Sequence, residues 1–227
     1  MTKGLFITGT DTGVGKTVIT GGLKGRFFVL KRRQGYGSLF SCSKTRLHRP
    51  HFFKSTNQWV ERGKFTLTKG LFITGTDTGV GKTVITGGLA GVFRKHGVET
   101  AAFKPVQTGG IESEEGLLSE DTLFYRIAAE LPYSAREMNA CCLKPALSPN
   151  VAARVSGKEI DTGALVEAYR QLAAENDLVL VEGAGGICVP LTDHWFTMAD
   201  LAQLLGTPLL VVARPGLGTI NHTVLTV

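Results

Sequence analysis

The chain has 227 residues, 43% of them hydrophobic, and a formal net charge of +6, a length that allows one or two domains. It contains no run of the ~18 apolar residues that a membrane-spanning helix requires, and Asp11 and Lys16 interrupt its first apolar stretch, so the start does not read as a secretory signal. Residues 1–67 carry 13 Lys+Arg against 2 Asp+Glu, whereas residues 68–227 carry 12 against 17, so the basic balance that would invite a nucleic-acid partner belongs to the leading segment alone.

Residues 2–23, TKGLFITGTDTGVGKTVITGGL, recur without a mismatch as residues 68–89. After the shared leucine the copies diverge at once. The first runs into a basic arm punctuated by Gly35, Gly37 and Pro50, the second into AGVFRKHGVETAAFKPVQTGG. Repeat architectures show drifting units at a fixed period, each completed in its own way. An unmutated duplicate with an unrelated tail instead marks an insertion or an error in reading the gene. The first copy's helix is expected to break after Leu23, leaving a strand and loop with no sheet to join unless it displaces the second copy. The arm, with its clumped apolar residues (Phe27, Phe28, Val29, Leu30), shows no period and predicts no stable core. Residues 1–67 are thus read as a non-functional duplicate plus arm, and 68–227 as the working domain.

In that domain Gly70–Gly75 reads as a strand, followed by a glycine-rich turn and a helix over about 82–95. TAAF at 100–103 is a second strand, expected to stop at Pro105. Ser119 caps a helix to about Leu131, with Glu120 and Asp121 in its first turn. Asp161 caps another, with Leu165, Tyr169 and Leu172 on one face. LVLV at 178–181 is a buried strand running into Glu182 and a GAGG turn; 198–205 is helical, and PLLVVA at 208–213 is a further buried strand. Unbroken apolar strands alternating with helices predict an α/β fold, a P-loop NTPase-like parallel β-sheet flanked by helices on both faces. Ligands then bind at the strands' carboxyl ends.

The turn GTDTGVGKT at 75–83 approaches the Walker pattern, offset so that Gly75 comes one place early while Gly79-Val80-Gly81-Lys82-Thr83 is intact. Glycines let backbone N–H groups turn toward phosphate oxygens, and the helix N-terminus adds its positive end. Lys82 can reach the β- and γ-phosphates and the Thr83 hydroxyl can meet Mg²⁺. Asp121 on its own reads equally as a helix-N-terminal acid. Glu182 is more pointed, an acid closing a buried strand beside glycines. Lys104, at a strand end beside a proline, reads equally as a solvated loop lysine. The four cysteines (Cys42, Cys141, Cys142, Cys188) lack C-x-x-C spacing; they read as ordinary buried thiols and suit a reducing cytoplasm. Asn221 and His222 are expected to be a helix-start cap and a packed imidazole.

GTDTGVGKT, FKPVQTG, SEDTL, VLVEGAGG and GTINHTVLT, in this order, resemble the dethiobiotin synthetase family over about residues 68–227. The lysine segment separates that family from partitioning-type ATPases and cobyrinate amidotransferase-like synthetases, which share the fold. The resemblance implies a cytoplasmic, homodimeric enzyme using ATP, Mg²⁺, CO₂ and 7,8-diaminononanoate to close a cyclic urea, with no nucleic-acid or membrane partner. One amine takes up CO₂ as a carbamate, the γ-phosphate activates it, and the second amine attacks. By the same resemblance Lys104 is catalytic, Thr108 contacts substrate, and Thr83, Asp121 and Glu182 hold Mg²⁺. Gly79, Val80, Gly81, Lys82, Thr83 and Val84 with Asp121, Glu182, Gly183, Ala184 and Gly185 form the nucleotide site. The family's domain continues beyond TINHTVLTV with another strand and an adenine-recognising loop bearing an Asn-Asp pair. The chain therefore reads as incomplete at its C-terminus, with an open flank beside PLLVVA and low activity. The alternatives are an inactive nucleotide-binding remnant or a partner-regulating ATPase.

Overall fold

The computed structural model describes residues 69–114 and 116–227, together with the backbone of four strands in the leading segment, 3–9, 16–22, 26–31 and 41–43. The first-copy loop at 10–15 and most of the basic arm lie outside the described residues, as does the expectation that the arm has no core.

The elements run β1 (Lys3–Gly9), β2 (Lys16–Gly22), β3 (Arg26–Lys31), β4 (Ser41–Ser43), β5 (Gly70–Gly75), α1 (Lys82–Lys95), β6 (Thr100–Thr108), β7 (Ile111–Ser113), β8 (Gly116–Leu118), α2 (Glu120–Ala129) and β9 (Asn139–Leu143). They continue with α3 (Pro149–Val155), α4 (Thr162–Glu175), β10 (Leu178–Gly186), α5 (Met198–Leu204), β11 (Leu209–Ala213) and α6 (Thr219–Thr226). The central sheet has the order β11-β5-β10-β6-β9, and every pairing within it is parallel.

Consecutive side chains of these strands go to opposite faces. Phe72, Ala101, Phe103, Val179 and Val181 pack with Leu165 and Tyr169 of α4 and Met198 and Leu201 of α5. Their neighbours Ile73, Ala102, Leu180 and Leu210 pack on the other face with Ala90 of α1 and Tyr125 and Ala129 of α2. Both faces are covered, which is why the inner stretches 71–73, 178–181 and 209–213 are apolar runs. Phe72 and Phe103 are fully buried, each contributing about 1.5–3 kcal/mol of hydrophobic stabilisation. The caps are as expected: the Ser119 hydroxyl accepts from Thr122 N at 3.3 Å and Asp161 Oδ1 from Ala164 N at 3.0 Å.

β6 does not stop at Pro105. Lys104 N–H points to the β9 side, donating to Met138 O at 2.7 Å, so the missing N–H of Pro105 falls on the β10 flank. Pairing with β10 has already ended there at Phe103. Proline is tolerated where the ladder needs no donor, and β6 continues to Thr108 along β9. That extension matters, since it carries the end of the lysine segment beside the β7–β8 hairpin.

The leading segment also departs from expectation. β1 pairs in parallel with β11 on its outer flank, Gly4 opposite Leu209 and Thr8 opposite Ala213, and β2 to β4 extend the sheet as an antiparallel meander. The first copy's strand therefore stands one strand away from the second's, across β11, and does not displace it, and the flank of β11 expected to be open is paired. KTVITGG is a strand at Lys16–Gly22 and the start of a helix at Lys82–Gly88. Its β-branched run favours a strand, and packing on the sheet overrides that preference in the second copy.

Candidate active site

The turn between β5 and α1 folds back over the strand end. Gly79 and Gly81 have φ of 69° and 99°, left-handed values that favour glycine. Gly75 is required for a different reason: a Cβ there would lie 2.7 Å from Val80 Cγ2 and 2.8 Å from Asp77 O. The offset glycine thus lets the loop close on itself. Lys82 curls into that closure, its Nζ donating to Asp77 O at 3.0 Å. Burial lowers the Lys82 pKa, opposed by the Glu182 carboxylate and reinforced by the Lys104 charge. Arg214, just past the end of β11, reaches across to donate to Thr78 O at 3.1 Å.

Beside the loop, strands and helices bring four predicted residues to one point. Thr83 Oγ1 donates to Asp121 Oδ1 at 3.0 Å and lies 3.1 Å from Glu182 Oε1. Lys104 Nζ sits 2.5 Å from Asp121 Oδ2 and 2.9 Å from Glu182 Oε1. Lys104 and Glu182 are 4% and 1% exposed, so neither charge is solvated and each depends on the other. Burial alone would lower the Lys104 pKa, but the Glu182 and Asp121 carboxylates outweigh it and the net shift is upward. Lys104 is therefore a buried ammonium paired with two carboxylates and not a solvated loop lysine.

Tyr125, one turn after Asp121 on α2, donates to Glu182 Oε2 and is fully buried. Burial, then the charges of Glu182 and Asp121, push its phenol well above the ordinary value, so it stays a donor. Behind it, Ser119 Oγ donates to Gln107 Oε1 at 2.8 Å, tying the cap of α2 to the extension of β6. Tyr125 and Arg214 lie in none of the quoted motifs, and Gln107, inside FKPVQTG, has no role assigned there. The one available signal was the spacing of four between Asp121 and Tyr125, which puts both on one helix face.

The donor set at the centre is one hydroxyl and two carboxylates. Among the described residues no group of three or more His, Cys, Asp or Glu converges anywhere. Hard oxygen ligands in small number suit Mg²⁺, which keeps several waters.

Of the other predicted residues, Gly183, Ala184 and Gly185 prolong β10 past Glu182; a Cβ on Gly183 would meet Phe72 Cε1 at 2.9 Å, and Gly185 has φ of 67°. Val84 is 53% exposed on the first turn of α1. Thr108 is half-buried at the end of β6, about 13 Å along the strand from Lys104 and on the same side of the chain. Asn221 and His222 correct the expectation: Gly218, with φ of 93°, caps α6, and both side chains are exposed. The cysteines differ too, since Cys141 and Cys142 are half-buried and Cys188 is exposed. Among the described residues no helix is long and apolar enough to cross a membrane.

A family described as an AAA domain matches residues 69–227. The ATP-dependent dethiobiotin synthetase of Methanococcus vannielii is 43% identical over 157 residues, covering 69% of this chain and 70% of the relative. That of Anaeromyxobacter dehalogenans is 45% identical over 163 residues, covering 70% and 69%, and that of Anoxybacillus flavithermus 44% over 161 residues, covering 70% and 71%. With the glycine-rich turn, the buried lysine and the strand-end glutamate in one place, the chain belongs to the ATP-dependent dethiobiotin synthetase family.

Proposed function

We propose that this chain closes the cyclic urea of dethiobiotin from 7,8-diaminononanoate and CO₂ at the expense of ATP, in biotin biosynthesis. The observation that carries the reading is the buried Lys104 ammonium, held between Asp121 and Glu182 next to the Thr83 end of the phosphate-binding turn. A carbamate and a triphosphate repel each other, and a charge fixed in a dry site lowers that repulsion far more than one in water.

One amine of the substrate adds to CO₂ and loses a proton to give the carbamate. A carbamate oxygen attacks the γ-phosphorus, ADP leaves, and a mixed anhydride forms. The second amine attacks the carbamoyl carbon, loses a proton, and inorganic phosphate departs with the ring closed. Lys104 faces the charge that develops on the carbamate and phosphoryl oxygens. Lys82 and the backbone of Gly79, Val80 and Gly81 hold the phosphates, with Val84 and the Glu182–Gly185 segment along the nucleotide. Thr108 orients the diamine. Thr83, Asp121 and Glu182 would hold Mg²⁺, which when bound would neutralise negative charge in phosphoryl transfer.

The enzyme is proposed to be a cytoplasmic homodimer acting on small molecules, with no nucleic-acid partner. Residues 68–227 do the chemistry, and residues 1–67 take no part in it. The test supplies purified protein with the diamine, bicarbonate and Mg-ATP. Cyclic urea and ADP formed in equal amounts support the reading. ATP hydrolysis indifferent to the diamine points instead to a partner-regulating ATPase, and nucleotide binding without turnover to a remnant.

A further inference from the structure

We propose that Tyr125 is a positioning residue for the Glu182 carboxylate, fixing the plane in which it faces Thr83 and Lys104. The inference rests on the reading of Thr83, Asp121 and Glu182 as the Mg²⁺ site.

Glu182 has two oxygens and they are used differently. Oε1 accepts from Lys104 Nζ at 2.9 Å and lies 3.1 Å from Thr83 Oγ1. Oε2 takes the phenol of Tyr125. The last torsion of a glutamate is broad and roughly two-fold, so contacts on Oε1 alone leave the carboxylate plane poorly fixed. A donor on the second oxygen fixes it. The donor itself cannot wander: the ring is fully buried among Ile73, Ala90, Ala102, Ala129 and Met138. Tyr125 also stands one turn from Asp121 on α2, so a single helix carries one proposed metal ligand and aims the other. Partners behind metal ligands are known to tune affinity in this way.

Tyr125→Phe removes only the hydroxyl. With ADP bound, its Mg²⁺ affinity, measured by calorimetry, should fall by about 10-fold, while ADP binding without Mg²⁺ is unchanged. Tyr133→Phe is the control, because it deletes a comparable bond, from Asn176 Nδ2 to the Tyr133 hydroxyl at 2.7 Å, away from the site. It should lower the melting temperature and leave Mg²⁺ affinity alone. Glu182→Gln separates the two layers of the argument. If it weakens Mg²⁺ binding and Tyr125→Phe does not, the positioning role is overturned and the metal site stands; if neither does, both are overturned. Should Tyr125→Phe fail to fold, fluorotyrosine placed at the four tyrosines of the unmodified chain gives an independent readout. A resonance that moves when Mg²⁺ joins the ADP complex, at a position other than Tyr36, Tyr133 and Tyr169 by their own Phe variants, supports the proposal. The absence of any such movement overturns it.

Discussion

Thr83 on the first turn of α1 donates to Asp121 on the first turn of α2 at 3.0 Å. Two helix N-termini therefore point at one place, and their positive ends favour anions there. The approach depends on glycines remote from the chemistry. A Cβ on Gly87 would lie 2.8 Å from the Phe124 ring, and one on Gly91 would lie 3.2 Å from Ala128 O. Gly91→Val should push α2 outward, costing about 1–3 kcal/mol by overpacking and lengthening the Thr83–Asp121 contact. Thermal melts and Mg²⁺ titration of the ADP complex should worsen together. A loss of stability with unaltered Mg²⁺ affinity would show that the helix spacing does not set the site.

Lys104→Ala should spare nucleotide binding and remove turnover. In the proposed mechanism the turn holds the phosphates, whereas Lys104 meets charge that develops later. Loss of one such electrostatic group costs about 100- to 1000-fold in kcat. The variant also leaves Glu182 and Asp121 with an uncompensated negative charge, so it should melt lower. An ADP-release assay beside a nucleotide titration checks both. A raised KM with kcat intact would place Lys104 in ground-state binding instead.

Much of the fold and site is legible in the sequence. The inner stretches 71–73, 178–181 and 209–213 are apolar runs, and the caps Ser119 and Asp161 sit where the side-chain chemistry demands. Glu182 betrays itself as a carboxylate ending a buried strand. Other features depend on long-range partners that no window contains. Whether Pro105 ends a strand turns on which flank its absent N–H faces. β9, with Asn139, Ala140 and two cysteines, has no strand signal of its own and exists because β6 offers an edge. Tyr125 looks like any core aromatic on a helix, and its partner Glu182 lies 57 residues away. KTVITGG has one composition and two structures, so local preference could not decide it.

The capping box of α5 yields a pH effect whose sign is fixed. Asp200 Oδ2 accepts from Thr197 Oγ1 at 2.6 Å and from Thr197 N at 2.8 Å. These bonds hold the Asp200 carboxyl below its usual 3.8. A depressed acid stabilises the fold above its unfolded pKa and loses that contribution as pH falls through the folded value. Asp200→Ala should cost about 1 kcal/mol at neutral pH, and the gap to the unmodified protein should close on acidification below 3.8. Denaturant melts of both proteins across that range are the measurement. A gap independent of pH would mean that Asp200 acts through packing alone.

The two copies of GTDTGVGKT are identical in letters, so any difference in function has to come from the residues after each copy and the elements packed around it. In the second copy Lys82 opens α1, folds back to Asp77 O at 3.0 Å and lies within the electrostatic reach of Glu182, Lys104 and Asp121. In the first copy Lys16 opens a strand that pairs antiparallel with β1. A strand offers no helix N-terminus for phosphate and none of the inward-turned amides that a helix start supplies. Lys82→Ala should therefore weaken ATP binding by about 30-fold, the ~2 kcal/mol of a charge-assisted hydrogen bond, and abolish ring closure. Lys16→Ala should leave both unchanged. Titrating ATP against each variant decides the matter: equal losses would mean that the first copy also closes around a nucleotide, and that residues 1–67 belong to the working enzyme.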